Sequence, residues 1–292
     1  MSARETTNLT NLTNRRLHRG RLKSNPEPMT AEPAADFEDR RFQTAAAHYL
    51  AGRPPYPGAL IDRVVQLIGL TRDDRVLDLG CGPGQLARAF AGHVAEAVAM
   101  DPEPQMLAIA HEQAAGVANM RVVQGRSDDL DARHGRFKAV VIGRAFHWMD
   151  REEILAILDG LIEPGGAVVL MGEETLKIPE NRRIGEFNQM DRAWSADDRS
   201  HPIHKSREQP HVSVLLASPF SRLEQINVIL RQPLTLQTLT DRLLSFSSTS
   251  RARLGDKADD LLAELARKFA DWEAEGPMEE VLATTALVAW RN

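Results

Sequence analysis

Val76-Leu-Asp-Leu-Gly-Cys-Gly-Pro-Gly84 is the stretch that decides the fold. Three glycines, Gly80, Gly82 and Gly84, alternate directly after a short apolar strand, and an acid, Asp78, stands two residues ahead of the first. A loop this poor in side chains lets a ligand lie almost on the backbone, and glycine tolerates the positive φ such a turn needs. The segment 85–91 reads as a helix, so the loop opens onto a helix N-terminus whose free N–H groups point outward. Strand, glycine loop and helix together make the opening of a nucleotide-type site in an α/β sheet.

Outward from this loop the pattern repeats. Apolar runs at 75–79, 96–100, 120–123, 137–143 and 167–171 predict five strands, and helices over 58–70, 104–115 and 151–162 alternate with them. Such an order implies a parallel sheet covered on both faces, with strand C-termini along one ligand-bearing edge. Upstream, 37–49 reads as a helix or ordered arm, broken by Arg53-Pro-Pro-Tyr-Pro57. After Met171 the rhythm fails, and the polar stretch 172–222 is expected as an insertion that acts as a lid or substrate cover. Beyond it, 223–230 alternates like a strand, 236–246 and 257–274 read as helices, and 281–290 is β-rich.

Bulk properties narrow the class. A chain of 292 residues is long enough for a full core, and a net charge of −5 offers no basic field to nucleic acid or an anionic membrane. No apolar run reaches the roughly 20 residues of a membrane span. The single cysteine, Cys81, cannot form an internal disulfide, which fits the cytoplasm. Residues 1–33 are expected as a disordered tail ahead of a domain over 34–292. The Arg-rich, acid-poor start also fits a transit peptide, and globular patterning after Met29 fits translation from that residue.

The ligand choice lies between a dinucleotide and another adenosine compound. Gly80, Gly82 and Gly84 give G-x-G-x-G, and the position where a dinucleotide fingerprint wants its third glycine is Gln85. A pyrophosphate beside Asp78 would face a like charge, whereas an ammonium would gain an ion pair. Asp101, 23 residues on at the end of the second strand, can accept both ribose hydroxyls. Ser127 and Asp128, after the third strand, can meet the adenine ring and its amino group; a helix cap is the plainer role for Asp128.

Taken in order, Val76–Gly84, Met100-Asp-Pro-Glu-Pro-Gln-Met-Leu107, Gly125-Arg-Ser-Asp128, Ala145-Phe-His-Trp148 and Glu163-Pro-Gly-Gly166 resemble a class I S-adenosylmethionine-dependent methyltransferase. The resemblance is to the type-11 small-molecule group that includes trans-aconitate methyltransferase-like enzymes, and Tyr49 with Arg53–Pro57 matches that group's N-terminal arm. It implies a doubly wound, seven-stranded Rossmann-like sheet with an antiparallel last strand, and S-adenosyl-L-methionine as cofactor. It also implies roles. Asp78 and the backbone of Gly80, Cys81, Gly82 and Gly84 hold the methionine end. Asp101 holds the ribose, Pro102 packs near the adenine, and Ser127 and Asp128 frame the base. Gly143 and Arg144 lie beside the sulfonium and amino-acid tail, and Arg53 meets the cofactor carboxylate under Tyr49. Arg144 departs from the small or neutral residue expected there, since a cation needs a carboxylate partner to avoid repelling a sulfonium.

The expected activity is methyl transfer to a small-molecule acceptor, a carboxylic acid or secondary metabolite, by a monomer or homodimer with no nucleic-acid or membrane partner. His147 is the candidate base for an acceptor that arrives protonated, with packing as its alternative role. His201, His204 and His211 read as a solvated loop, so no metal site is expected. Arg182, Arg183 and Arg192 are candidates for a carboxylate substrate. A dinucleotide-dependent oxidoreductase and a non-catalytic cofactor-binding regulator are the competing readings.

Overall fold

A computed structural model of the chain describes residues 42, 44–195 and 209–292; the expected tail over 1–33, His201 and His204 fall outside them. Strands β1 (Arg75–Leu79), β2 (Glu96–Asp101) and β4 (Phe137–Gly143) are buried almost end to end, as central parallel strands covered on both faces must be. They join β3 (Met120–Gln124), β5 (Ile162–Thr175), β6 (Arg222–Pro233) and β7 (Glu279–Trp290) in one sheet of order β3-β2-β1-β4-β5-β7-β6. Strands β1 to β5 pair in parallel, and β7 runs antiparallel to both β5 and β6. The strand order reverses between β1 and β4, which opens a ligand crevice beyond the C-terminal ends of those two strands.

Alternation along each strand divides the core into two layers. Val76, Ala97 and Val141 face one layer, with Leu60, Val64 and Phe90 from α2 (Gly58–Ile68) and α3 (Gln85–Ala91). Leu77, Val140 and Ile142 face the other, with Ile154, Leu155 and Leu158 from α5 (Arg151–Leu161). α5 starts where Asp150 accepts from Glu153 N at 3.0 Å, a cap worth about 1 kcal/mol. Helix α4 (Pro104–Ala114) starts on Glu103, whose carboxylate accepts from Gln105 N.

Strand β5 is longer at both ends than its apolar run suggests. Ile162 pairs with Phe137, the register then shifts, and Ala167 pairs with Ala139. At the other end the polar residues Glu173, Glu174 and Thr175 continue the ladder against Thr284, Ala283 and Leu282 of β7. Backbone pairing, not side-chain burial, extends the strand past Met171.

The helical cover draws on more of the chain than the expected 172–222 insertion. Helix α6 (Arg182–Trp194) packs Ile184, Phe187 and Met190 against Leu239 and Leu243 of α8 (Leu236–Ser245) and Leu261 and Leu265 of α10 (Lys257–Ala274), a third core separate from the sheet layers. Helix α7 (His211–Leu216) turns the other way, and its Val214 and Leu215 join the α5 layer. The short turn α9 (Arg251–Leu254) leads into α10.

Helix α1 (Ala46–Gly52) docks on α8 backbone to backbone, because a Cβ on Gly52 would overlap the main chain of Asp241. His48 Nδ1 lies 2.7 Å from Asp241 Oδ1, and Arg242, ion-paired to the buried Glu280 at 2.9 Å, donates to Gly52 O. Among the described residues no helix is long and apolar enough to cross a membrane.

Candidate active site

The glycine loop leaves β1 with φ of 68° at Gly80, 52° at Gly82 and 80° at Gly84, the left-handed region that side chains resist. Space matters as well as torsion. A Cβ on Gly80 would lie 2.6 Å from Ala145 Cβ, and one on Gly84 would lie 2.8 Å from Met120 Cε. Gly82 has nothing nearer than Met106 Sδ at 3.9 Å, so this residue presents the open face. Gly80 N and Cys81 N both donate to Met100 O, which pins the loop to β2. Burial, with Asp78 and Asp101 nearby, pushes the Cys81 thiol well above its ordinary value, so its contribution is backbone and bulk, not nucleophilicity.

Asp78 is buried and its Oδ2 accepts from Ala87 N at 2.8 Å. Gly84 at the N-cap of α3 has no side chain, and Asp78 supplies the missing cap from the neighbouring strand. Desolvation pushes its carboxyl up to about 7, against the pull of the Ala87 N–H and with a further push from Asp101. Asp101 accepts from Gly82 N at 2.8 Å through Oδ2 and from Glu103 N at 2.9 Å through Oδ1, and burial raises it too. Both acids thus shape the loop. Each carboxylate oxygen has a second lone pair, so each can also accept from a ligand.

Further along the edge, Pro102 follows Asp101 directly, and Ser127 begins a 3-10 turn over Ser127–Asp129. The cap of that turn is Asp129, whose Oδ2 accepts from Arg126 N at 2.7 Å. Asp128 is exposed and, among the described residues, pairs with Arg126 at 3.1 Å.

At the end of β4, a Cβ on Gly143 would lie 2.5 Å from the Tyr56 hydroxyl. Next to it, Arg144 is the non-glycine residue with positive φ, 57°, among the described residues, a conformation that costs about 1–2 kcal/mol. Its side chain is 9% exposed. Nε donates to Glu173 Oε2 at 2.6 Å, Nη2 to Pro54 O at 2.6 Å and Nη1 to Gln85 Oε1 at 3.4 Å, and the Tyr56 ring lies 4.5 Å away. Burial pulls the arginine down, but Tyr56, Glu173 and Tyr49 together raise it above its ordinary range. The carboxylate that Arg144 requires is Glu173, and the sequence signal for it was an acid just past an apolar strand at the ligand-bearing edge.

Arg53 differs. It lies between Tyr49 and Phe246, with ring centroids at 5.4 and 4.2 Å. Its Nε is buried without a hydrogen-bond partner, and Nη2 reaches Ser245 O only at 3.5 Å. Desolvation lowers it. Asp191 of α6 feels the Arg53 charge, yet burial still pushes its carboxyl up to about 6. Phe246 and Asp191 carry no motif and were not legible as site residues.

His147 sits in the 3-10 turn Phe146–Trp148, half-buried, its ring 5.3 Å from that of Trp148. Trp148 in turn receives Phe42 edge-on at 5.4 Å. His211 does not lie in a solvated loop: it opens α7, packs edge-on against Phe146 at 5.1 Å, and is lowered by burial and by Arg151. Arg183 donates to Trp272 O and Gly276 O at the end of α10, and Arg182 pairs with Glu186 and Glu275, so both hold the cover together. The described residues contain no cluster of three or more metal-ligating side chains.

Comparison with known proteins agrees with this geometry. Residues 76–166 match a family described as a methyltransferase domain. An uncharacterized methyltransferase of Mycobacterium tuberculosis is 26% identical over 226 residues, covering 77% of this chain and 84% of its own length. The trans-aconitate 2-methyltransferase of Mycobacterium ulcerans is 33% identical over 120 residues, 40% of each chain. Among solved structures, a protein assigned as a type II methyltransferase from Anaeromyxobacter dehalogenans shares the fold with a TM-score of 0.59 at 23% identity, over 82% of this chain and 97% of its own.

Proposed function

We propose that this chain, a class I S-adenosylmethionine-dependent methyltransferase, methylates a small molecule of the carboxylic-acid or secondary-metabolite class by in-line displacement. The observation that carries the reading is the glycine loop: closed to side chains at Gly80 and Gly84, open at Gly82, and tied by Asp78 and Asp101 to the ends of two adjacent strands.

The residues present fit the cofactor chemically. Asp78 receives the ammonium of the amino-acid end beside the backbone of Gly80, Cys81, Gly82 and Gly84. Arg53, with an unpartnered buried Nε, faces the carboxylate beside Tyr49. Asp101 takes the ribose, Pro102 packs near the adenine, Ser127 and Asp128 frame the base, and the Gly143–Arg144 backbone borders the sulfur. When bound, the cofactor supplies an electrophilic methyl with a neutral thioether as leaving group. The leaving group needs no acid, so alignment is the protein's main task, and orientation of this kind supplies about 7–11 kcal/mol in well-aligned systems. His147 takes the proton from an acceptor that arrives protonated, and a carboxylate acceptor needs no base. Helices α6, α8 and α10 exclude water above the crevice. The reading puts the enzyme in the cytoplasm as a monomer or homodimer.

The test is thermal. S-Adenosylmethionine or S-adenosylhomocysteine should raise the melting temperature and NAD should not; equal stabilisation by NAD would remove the reading. A screen of acceptors with labelled cofactor, scored by mass for one added methyl, then identifies the substrate. In that assay His147→Ala should lower turnover on protonated acceptors with cofactor affinity unchanged, and full turnover would return His147 to a packing role.

A further inference from the structure

We infer that Arg144 is a positioning residue: with Glu173 it straps the proline arm across the end of β4, so that Arg53 meets a carboxylate at the amino-acid end of the donor site. The inference rests on the donor-site reading above. It starts from the arm's composition. Pro54, Pro55 and Pro57 have no N–H, so Arg53–Pro57 offers the sheet carbonyls and almost no donors. A guanidinium is donor-only, with five N–H groups in a rigid fork. Arg144 distributes that fork over three elements: Glu173 on β5, Pro54 O on the arm and Gln85 on the first turn of α3. Tyr56, two residues beyond Pro54, closes over the guanidinium at 4.5 Å and sets its hydroxyl against Gly143.

Backbone conformation agrees. Positive φ in a bulky residue persists only where the surroundings enforce it, and such positions gather at ligand clamps. Here the bond from Arg144 N to Met171 O and the three side-chain bonds hold the turn. The charges also divide between the two arginines. Glu173 lies on Arg144 at 2.6 Å, while Arg53 keeps a buried Nε without a partner. Arg144 is matched by a hydrogen-bonded carboxylate, whereas Arg53, next to the Pro54 that Arg144 anchors, has Asp191 and Glu173 near it but an unpartnered Nε, which a ligand carboxylate would meet.

Two ligands separate the strap from a general structural role: S-adenosylhomocysteine, which has the amino-acid end, and 5′-methylthioadenosine, which lacks it. Arg144→Lys keeps the charge, but one ammonium cannot reach Glu173 and Pro54 O in the geometry of the fork. By calorimetry this variant should bind S-adenosylhomocysteine about tenfold more weakly, the loss of one hydrogen bond to a charged group, and bind methylthioadenosine within about twofold of wild type. In an Arg53→Ala background the same substitution should add less than about twofold, because Arg144 acts through Arg53. Glu173→Gln should reproduce the selective loss and serves if the lysine variant fails to fold. Unchanged S-adenosylhomocysteine affinity, equal loss for both ligands, or full additivity with Arg53→Ala would overturn the strap. A wild-type protein that already binds the two ligands equally would overturn the amino-acid-end reading and the strap with it.

Discussion

Around the glycine loop, carboxylates are turned onto backbone; where the N-terminal arm and α8 meet β5 and β7, charges are turned onto one another. Asp78 holds Ala87 N, and Asp101 holds Gly82 N and Glu103 N, all at 2.8–2.9 Å. Their donors are backbone N–H groups of the glycine loop, of α3 and of the N-cap of α4. Beside the loop, Arg144 past the end of β4 holds Glu173 of β5, Arg242 of α8 holds Glu280 of β7 and His48 of α1 meets Asp241 of α8, so each pair joins two different elements. Arg53 has the charges of Asp191 and Glu173 near it, yet its buried Nε has no hydrogen-bond partner. One half of the crevice is thus tied by backbone donors and the other by ion pairs between separate elements, and the proposed division of labour is donor recognition by the first and acceptor selection by the helices over it.

The most forceful way to break this comparison is to empty the cover's core. Phe187 is fully buried in that third core, and Phe187→Ala should cost about 3–5 kcal/mol in chemical denaturation. If the halves are held independently, methylthioadenosine affinity survives while turnover collapses. Loss of both together would show a single cooperative unit.

Asp101→Ala attacks the backbone-tied half. It frees Gly82 N and Glu103 N and removes the proposed ribose acceptor, so S-adenosylhomocysteine should bind at least about tenfold more weakly, since hydrogen bonds to charged groups contribute about 1.5–3 kcal/mol. Unchanged affinity would move the ribose elsewhere.

Asp78 offers a pH test. Its folded-state value of about 7 lies above its ordinary 3.8, so the folded protein binds the extra proton between these values. The stability it contributes is full below 3.8 and is lost as pH rises towards 7. Asp78→Asn should flatten that decline in a melting-temperature profile. Binding runs the other way, because an ammonium needs the ionised acid: wild-type affinity for S-adenosylhomocysteine should fall about tenfold from pH 8 to pH 6. Asp78→Asn should abolish the dependence, and a variant that retains it would point to another titrating group.

The smallest effect belongs to Asp128. Its pairing with Arg126 is solvent-exposed, and such pairs are worth about 0–1 kcal/mol, so Asp128→Ala should leave the melting temperature almost unchanged. A loss of about threefold to tenfold in S-adenosylhomocysteine affinity would fit an adenine contact.

The sheet and the donor loop were legible because their signals are local. Short apolar runs, a glycine triplet after a strand and acids at strand ends each lie within a few residues of the feature they produce. The cover was only partly legible. Its helices over 236–246 and 257–274 could be read from their stripes, but nothing local says that α6 packs on α8 and α10 while α7 returns to α5. The polar end of β5 was missed because its pairing is supplied by β7, more than a hundred residues away. His211 read as loop because its burial comes from Phe146 on another segment.

By itself the sequence determined the α/β sheet, the glycine loop with its two acids, and through them the class of donor. These rest on the backbone freedom of glycine and on short apolar runs set between helical stripes, which travel with the chain. Tertiary structure alone decided which charges are matched. Asp78 caps α3, Asp129 and not Asp128 caps its turn, Arg144 takes Glu173, and Arg53 keeps a buried Nε without a hydrogen-bond partner. A charge has no intrinsic partner in sequence; burial and distance choose one, and both exist only after the chain has folded.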